Sequence, residues 1–396
     1  MKCINLMKFA LLSMFVVSLV IGTGTIIGGS AAAAEKKTWL IGVANYPDID
    51  EWSVAVYTCM KWYAEDHNIK LKRVTGGGQF TGEVQLKKSR VLLEVGIDGL
   101  ILQPTSPTTA KAIVDVAKEK GIPVIGYEYP TYSPDLVMHV GVSLYEMGKT
   151  AGEATRKLLI EKYGKPKGTI LVLEGNPANA AEHTRSVAFK TVFKDDPDVK
   201  LKSIVTPIIS LEKAATAVGI WLAAGNDLDA SWGATPGLSL GTIEALKKHG
   251  IDPSTKILVA NDGEPLMLNY IRQGVLKACT DQPVPFYGPI ALKYMVDYLE
   301  GRPLPKVGST ITFGDGPNQL NIKGKKHLGI DPWAYDKEAI LPAHIVDWGT
   351  KSRLQIKEVG FTFPWFKTRV PLINKENVDL PAWWGNLPID WAKAIR

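Results

Sequence analysis

Two carboxylates in this 396-residue chain stand where chemistry could be done, and each is delivered by the same local pattern. Glu128 follows the apolar run from Ile122 to Tyr127, and Asp262 follows Ile257 to Asn261. Ahead of the first acid, Ile97 to Leu102 reads as a strand, and Ser106 and Pro107 supply a helix cap and first-turn proline. Ala110, Ile113, Val114 and Ala117 then share one helical face, and Gly121 marks the stop. Ahead of the second acid the plan repeats, with a strand over Asp229 to Thr235 and a helix over Leu238 to Gly250. In open parallel sheets the carboxyl ends of strands are where ligands bind. Two similar units, each aiming an acid at whatever lies between them, predict a shared cleft. Ionised carboxylates accept hydrogen bonds from neighbouring hydroxyls, so that cleft suits a small polar ligand.

Other residues fit the same cleft. Trp39 to Ala44 predicts the first strand, placing Tyr46 and Trp52 at its carboxyl edge, where a ring can cover apolar C–H faces or a cationic head group. In the helix that follows, Trp52, Ala55, Val56, Cys59, Met60 and Tyr63 share the core face. The stretch EGNPANAAEHTRSVAFK opens another helix, and either His183 or Arg185 faces a ligand from its first turn or both sit on a solvated helix start. Arg185 would donate in a fork. A competing chemistry rests on Gly237 to Gly241, which fits G-x-S-x-G with Ser239 as nucleophile, and Asp262 with His327 or His344 even follows in hydrolase order. Thr235 and Pro236 interrupt that strand-to-motif junction, and the duplicated units account for the region without catalysis, so no enzyme is expected. Gly76, Gly77 and Gly78 lack the following Gly-Lys-Ser/Thr of a phosphate loop and predict a turn. The six histidines are scattered and none is spaced for metal, so neither metal nor cofactor is expected.

The elements that must position these residues alternate strand and helix from residue 38 onward, which implies parallel sheets with right-handed crossovers. At 45% hydrophobic residues the chain is long enough for two cored domains. The expected fold class is α/β: two Rossmann-like lobes with parallel sheets, joined by three hinge crossings, plus an irregular C-terminal extension. Residues 1–34 read as a signal peptide, with Lys2 and Lys8 before an apolar run and Ala32 to Ala34 before a cut at Glu35. Retention as an anchor is the rival reading. The N-terminal lobe spans 35–141 and 283–305, the C-terminal lobe 142–282, and the extension 306–396; the later crossings are expected near Gln282 and along Arg302 to Pro305. Losing the leader lowers the formal charge from +6 to +4, and without a basic run nothing resembles a nucleic-acid footprint. Cys59 and Cys279 are expected as buried free thiols, with a disulfide between them in an oxidising compartment as the rival reading. The extension holds Trp333, Trp348, Trp365, Trp383, Trp384 and Trp391, six of the 11 tryptophans. They are expected to pin an irregular segment to the parent domain rather than form a partner surface or carbohydrate platform.

Over roughly residues 38 to 305 the sequence resembles the type I periplasmic sugar-binding proteins, the ribose-binding-like family. The resemblance is carried by LIGVA, GIDGLILQPTSP, GIPVIGYE, GNPANAAEHTR, GTIEALKKHG, ILVANDGEP and ACTDQP in that order. It implies ligand contacts at Glu128, Asp262, Gln282 and Trp52, with Tyr46 beside them. His183 stands where the family usually has an arginine, Arg185 follows two positions later, and Thr235 replaces a usual asparagine. KLKRVTGGGQ and VGVSLYEMGKTAGE are similar to the TorT-like branch, in which the fold senses trimethylamine N-oxide with a membrane histidine kinase. The resemblance therefore implies a monomeric periplasmic receptor for a sugar, polyol or methylated amine. Its partner is then the membrane permease of an ABC transporter, or alternatively a sensor kinase.

Overall fold

The computed structural model describes residues 37–396 apart from 49, 77–81, 132, 178, 207–209, 334–338, 349–360, 392 and 395–396. The leader segment 1–34, Gly77 and Gly78 lie outside the described residues. No described helix is long and apolar enough to cross a membrane.

The first sheet is built from β1 (Trp39–Asn45), β2 (Ile69–Thr75), β3 (Gly99–Leu102), β4 (Val124–Tyr127) and β5 (Met138–Gly141), ordered β5-β4-β3-β1-β2 and parallel throughout. The second uses β6 (Gly168–Glu174), β7 (Val199–Val205), β8 (Ala230–Gly233), β9 (Ile257–Asn261) and β10 (Ala278–Thr280) in the equivalent order, β10-β9-β8-β6-β7. Both are the doubly wound arrangement in which the order reverses beside the first strand, leaving a crevice at the carboxyl ends. β3, β4, β8 and β9 are buried along their whole length, as strands covered by helices on both faces must be.

Helices α1 (Glu51–Asp66), α2 (Gly82–Glu94) and α3 (Pro107–Glu119) serve the first sheet. α4 (Leu144–Tyr163), α5 (Ala180–Thr191), α6 (Leu211–Ala223), α7 (Pro236–Lys248) and α8 (Pro265–Arg272) serve the second. Helix α9 (Tyr287–Leu299) returns to the first sheet against α1 and β4. Ser106 caps α3 through Thr109 N with Pro107 at the first turn, the start that the sequence predicts. Trp232 of β8 is fully buried and stacks on Phe189 of α5 at 4.6 Å between ring centroids, fixing α5 to the sheet. Gly148 allows α4 to lie against α5: a Cβ there would stand 2.0 Å from the carbonyl oxygen of Arg185. Cys59 and Cys279 are buried free thiols.

The tail departs from expectation in two ways. It carries regular structure: β11 (Thr310–Phe313), β13 (Ala343–Trp348) and β14 (Phe363–Lys367) extend the first sheet beside β5, and β12 (Gln319–Leu320) adds to β11. β15 (Leu372–Asn374) then pairs antiparallel with β10 on the edge of the second sheet. The chain therefore passes between sheets after β5, after β10 and, for the third time, between β14 and β15, rather than along Arg302 to Pro305. That proline-bearing stretch leads only to another strand of the same sheet. The third passage lies against the others, with Trp365 Nε1 and Thr368 N both donating to Gly141 O (3.0 and 3.1 Å) and Asp281 N donating to Pro371 O (3.0 Å). The five tail tryptophans with described side chains are all buried, so they do pin the segment.

Because Gly148 sets the distance between α4 and the backbone of Arg185, Gly148→Ala forces an overpacked contact. We expect it to lower stability by about 1–3 kcal/mol in chemical denaturation and to weaken ligand binding, whereas the same change at solvent-facing Gly164, where nothing lies within 4 Å, should leave binding untouched.

Candidate functional site

A cavity of about 280 Å3 lies between the carboxyl ends of the two sheets, just below the roughly 300–1,000 Å3 usual for small-molecule sites. Tyr46, Asp50, Trp52, Ser53, Glu128 and Tyr129 line it from the first sheet's side, and Arg185, Thr235, Pro236, Gly237, Leu240, Asp262 and Glu264 from the second.

The two acids occupy matching positions. Glu128 follows β4 and Asp262 follows β9, and both adopt left-handed backbone, with φ of 55° and 77°. Such a conformation is costly away from glycine and survives where surrounding structure imposes it. Each acid's N–H donates to the neighbouring strand, Glu128 to Val140 O (2.9 Å) and Asp262 to Thr280 O (2.7 Å). Each carboxylate is also held by a glutamine. Gln103 Nε2 donates to Glu128 Oε2 and Gln282 Nε2 to Asp262 Oδ1, both at 2.6 Å. The glutamine carbonyls are fixed in turn by Tyr127 Oη (3.1 Å) and Tyr287 Oη (2.7 Å), and the two phenol rings lie 5.9 Å apart. A Tyr-Gln-acid chain thus reaches the cavity from each side.

Arg185 stands between the chains at 2% exposure. Its Nη2 is 3.8 Å from Glu128 Oε1 and its Nη1 3.6 Å from Asp262 Oδ2, close enough for ion pairing and too far for a good hydrogen bond. Among the described residues Nη1 alone has a hydrogen-bond partner, Ala234 O at 3.2 Å, while Nε and Nη2 are buried with none. Asn179 caps the helix that carries it, accepting from Ala181 N at 2.9 Å and from Glu182 N at 3.4 Å. Burial pushes Glu128 up to about 8, against the lowering pull of Arg185 and Gln103. Burial also raises Asp262, again against Arg185 and Gln282. Glu182, one turn before Arg185, is raised to about 7 by burial, despite the backbone N–H of Asn176 and the nearby guanidinium. Arg185 stays charged because Asp262 and Glu128 outweigh the burial that works against it.

Of the residues singled out in the sequence, Tyr46, Trp52, Glu128, Arg185, Thr235 and Asp262 line the cavity, and Gln282 lies directly behind Asp262. His183 does not: it is exposed, because two residues along a helix turn a side chain about 200° from Arg185. Glu182, at the i−3 position, takes the inward place. The Ser239 triad is not assembled. Ser239 Oγ is buried without a partner, while His327 is bound to Asp66 and stacked on Trp62 and His344 is engaged by Thr310. Sequence reasoning missed Gln103, Tyr129, Tyr287, Asp50 and Glu264. Gln103 directly follows β3, a place equivalent to the acids' own, and could have been found by that rule. Trp384 was also missed as a support: its Nε1 donates to Asp262 O (2.8 Å) and Asp281 Oδ1 (3.1 Å).

A cleft between two doubly wound sheets, with polar groups converging from both, defines a two-lobed small-molecule receptor. The chain belongs to the periplasmic binding protein domain family, matched over residues 41–303. It is 26% identical over 257 residues to a xylitol-binding protein of Mycolicibacterium smegmatis, covering 64% of this chain and 70% of that one. It is 24% identical over 302 residues to the galactofuranose-binding protein of Escherichia coli, covering 73% and 92%. An ABC transporter solute-binding protein of Bacillus halodurans, solved with bound myo-inositol, superposes with a TM-score of 0.65 at 17% identity over 86% of this chain and 96% of that one. That coverage exceeds the family-matched span, so the superposition extends into the tail.

The raised carboxyls make stability fall with pH. A group whose folded pKa lies above its unfolded value binds more protons when folded, so its contribution is complete below the unfolded pKa and is lost as pH rises through the folded one. For Glu128 that window runs from 4.5 to about 8. The ligand-free melting midpoint should therefore decline across it, and Glu128→Gln should flatten the decline. A profile with the same slope in both proteins would contradict the assignment.

Proposed function

We propose that this chain is the solute receptor of an ABC importer, working outside the cytoplasm. It takes a sugar or polyol into the cleft between its sheets and presents it to a membrane permease. The observation that carries this reading is Arg185: a buried guanidinium with two idle donors, flanked by Glu128 and Asp262 from different sheets. Hydroxyls of a polyol would accept from those donors and donate to the two carboxylates, completing hydrogen bonds that the described protein groups leave unmade. Trp52, Tyr46 and Tyr129 would cover the ring's apolar C–H faces.

Three crossings bonded to one another at Gly141 and Asp281 support a hinge about which the sheets close on the ligand. Closure removes water, so each absent hydrogen bond is costly and a ligand lacking one hydroxyl is rejected. The solutes after which the relatives are named or with which they were solved, xylitol, galactofuranose and myo-inositol, are all small and polyhydroxylated. Their family's name and the leader-like residues 1–34 support a periplasmic setting, and the permease is the partner that an ABC solute-binding relative implies.

Thermal-shift screening against sugars and polyols should find a ligand, and calorimetry should then show Asp262→Ala weakening it about a hundredfold, the scale of two lost charged hydrogen bonds, while the far-ultraviolet dichroism stays unchanged. Undiminished affinity in that variant would remove the site.

A further inference from the structure

The charges around the cavity do not balance for a neutral sugar. Four carboxylates line it, Asp50, Glu128, Asp262 and Glu264, against the single cation Arg185. Arg185 is already shared by Glu128 and Asp262, and Asp50 caps α1 through Ser53, which leaves Glu264 with no positive group acting on it. Glu264 stands at the N-cap of α8, yet its side chain makes no capping bond. After burial, the influences acting on it are Asp50, Asp262 and Glu51, all of its own sign, and they hold it well above the usual carboxylate range. Arg73, which donates to the backbone oxygen of Tyr46, is engaged by Asp48.

Asp50 comes from the start of α1 and Glu264 from the start of α8, so the two face each other from different sheets. Burial and the charge of Asp50 keep the proton on Glu264. A cation beside it would let it ionise and would be attracted to both acids, and Trp52 and Tyr46 on the same lining offer it π-faces. A bare cation would not suffice, because Arg185 lines the cavity and its buried Nε and Nη2 lack acceptors among the described residues; the same molecule must bring oxygens. No group of three or more metal-competent side chains occurs among the described residues, which favours an organic cation over a metal ion.

We propose that the ligand is a polyhydroxylated molecule carrying a protonated amine, its hydroxyls at the Glu128, Arg185 and Asp262 end and its ammonium at the mouth between Asp50 and Glu264. This rests on the receptor reading above and narrows it to amino sugars and amino polyols.

The test uses the chain from Glu35 onward with matched probes: glucose, glucosamine and N-acetylglucosamine, then the same set built on galactose. In calorimetry the free amine of at least one set should bind about tenfold or more tighter than both neutral partners, the scale of one charged hydrogen bond. Glu264→Gln should bring that ratio close to one while the neutral members keep their affinity. Neutral members binding as tightly as the amines, no amine binding at all, or a ratio that survives both Glu264→Gln and Asp50→Asn would each overturn the proposal. Neutral members that bind as tightly as the amines and lose that binding in Asp262→Ala would overturn it while leaving the receptor reading intact.

Discussion

One buried guanidinium sets the terms for the rest of the molecule. Arg185 is removed from water without losing its charge, which Asp262 and Glu128, followed by Tyr129 and Tyr287, make tolerable. Taking one partner away from such a group costs far more than the pair contributes, because an uncompensated charge remains inside. The acids must therefore be held in place, yet not so close that they saturate the arginine. Distances of 3.6 and 3.8 Å meet both needs, since each acid spends its best hydrogen bond on a glutamine behind it.

The two sides solve this problem with the same parts. Tyrosine fixes glutamine, glutamine fixes acid, and the acid sits in left-handed backbone tied to the next strand. The sheets agree in strand order as well, so the likeness runs from topology down to single hydrogen bonds. Tyr287 contributes to the second chain although it belongs to α9, which packs on the first sheet. Its hydroxyl therefore joins the lobes directly behind the site, and any movement between sheets must keep or break the bond to Gln282.

Much of this was legible in the sequence because strand-helix-strand units advertise themselves. The apolar runs ending in Glu128 and Asp262 fixed the carboxyl ends, and with them the place where ligand groups gather. The tail was less legible. β11 is four residues long with a single buried position, and β12 has two residues, too short for any alternation to register. A proline-bearing link at Arg302 to Pro305 looked like a boundary although the chain simply continues along the same sheet. His183 and Arg185 could not be separated until the helix start was known to one residue, because the choice turns on which of two positions 200° apart faces inward. Glu264 gave no signal in the sequence, because it stands two residues past Asp262 at the N-cap of α8 without capping it.

The third passage between sheets comes some 85 residues after the second. The first sheet draws strands from both ends of the chain, and the second receives β15 only after almost everything else has been made. Neither half can finish its hydrogen-bonded edge from a nascent N-terminal fragment, and contacts of such long sequence separation form slowly. In a polypeptide wired in this order, the edge of the second sheet closes only through residues 372–374.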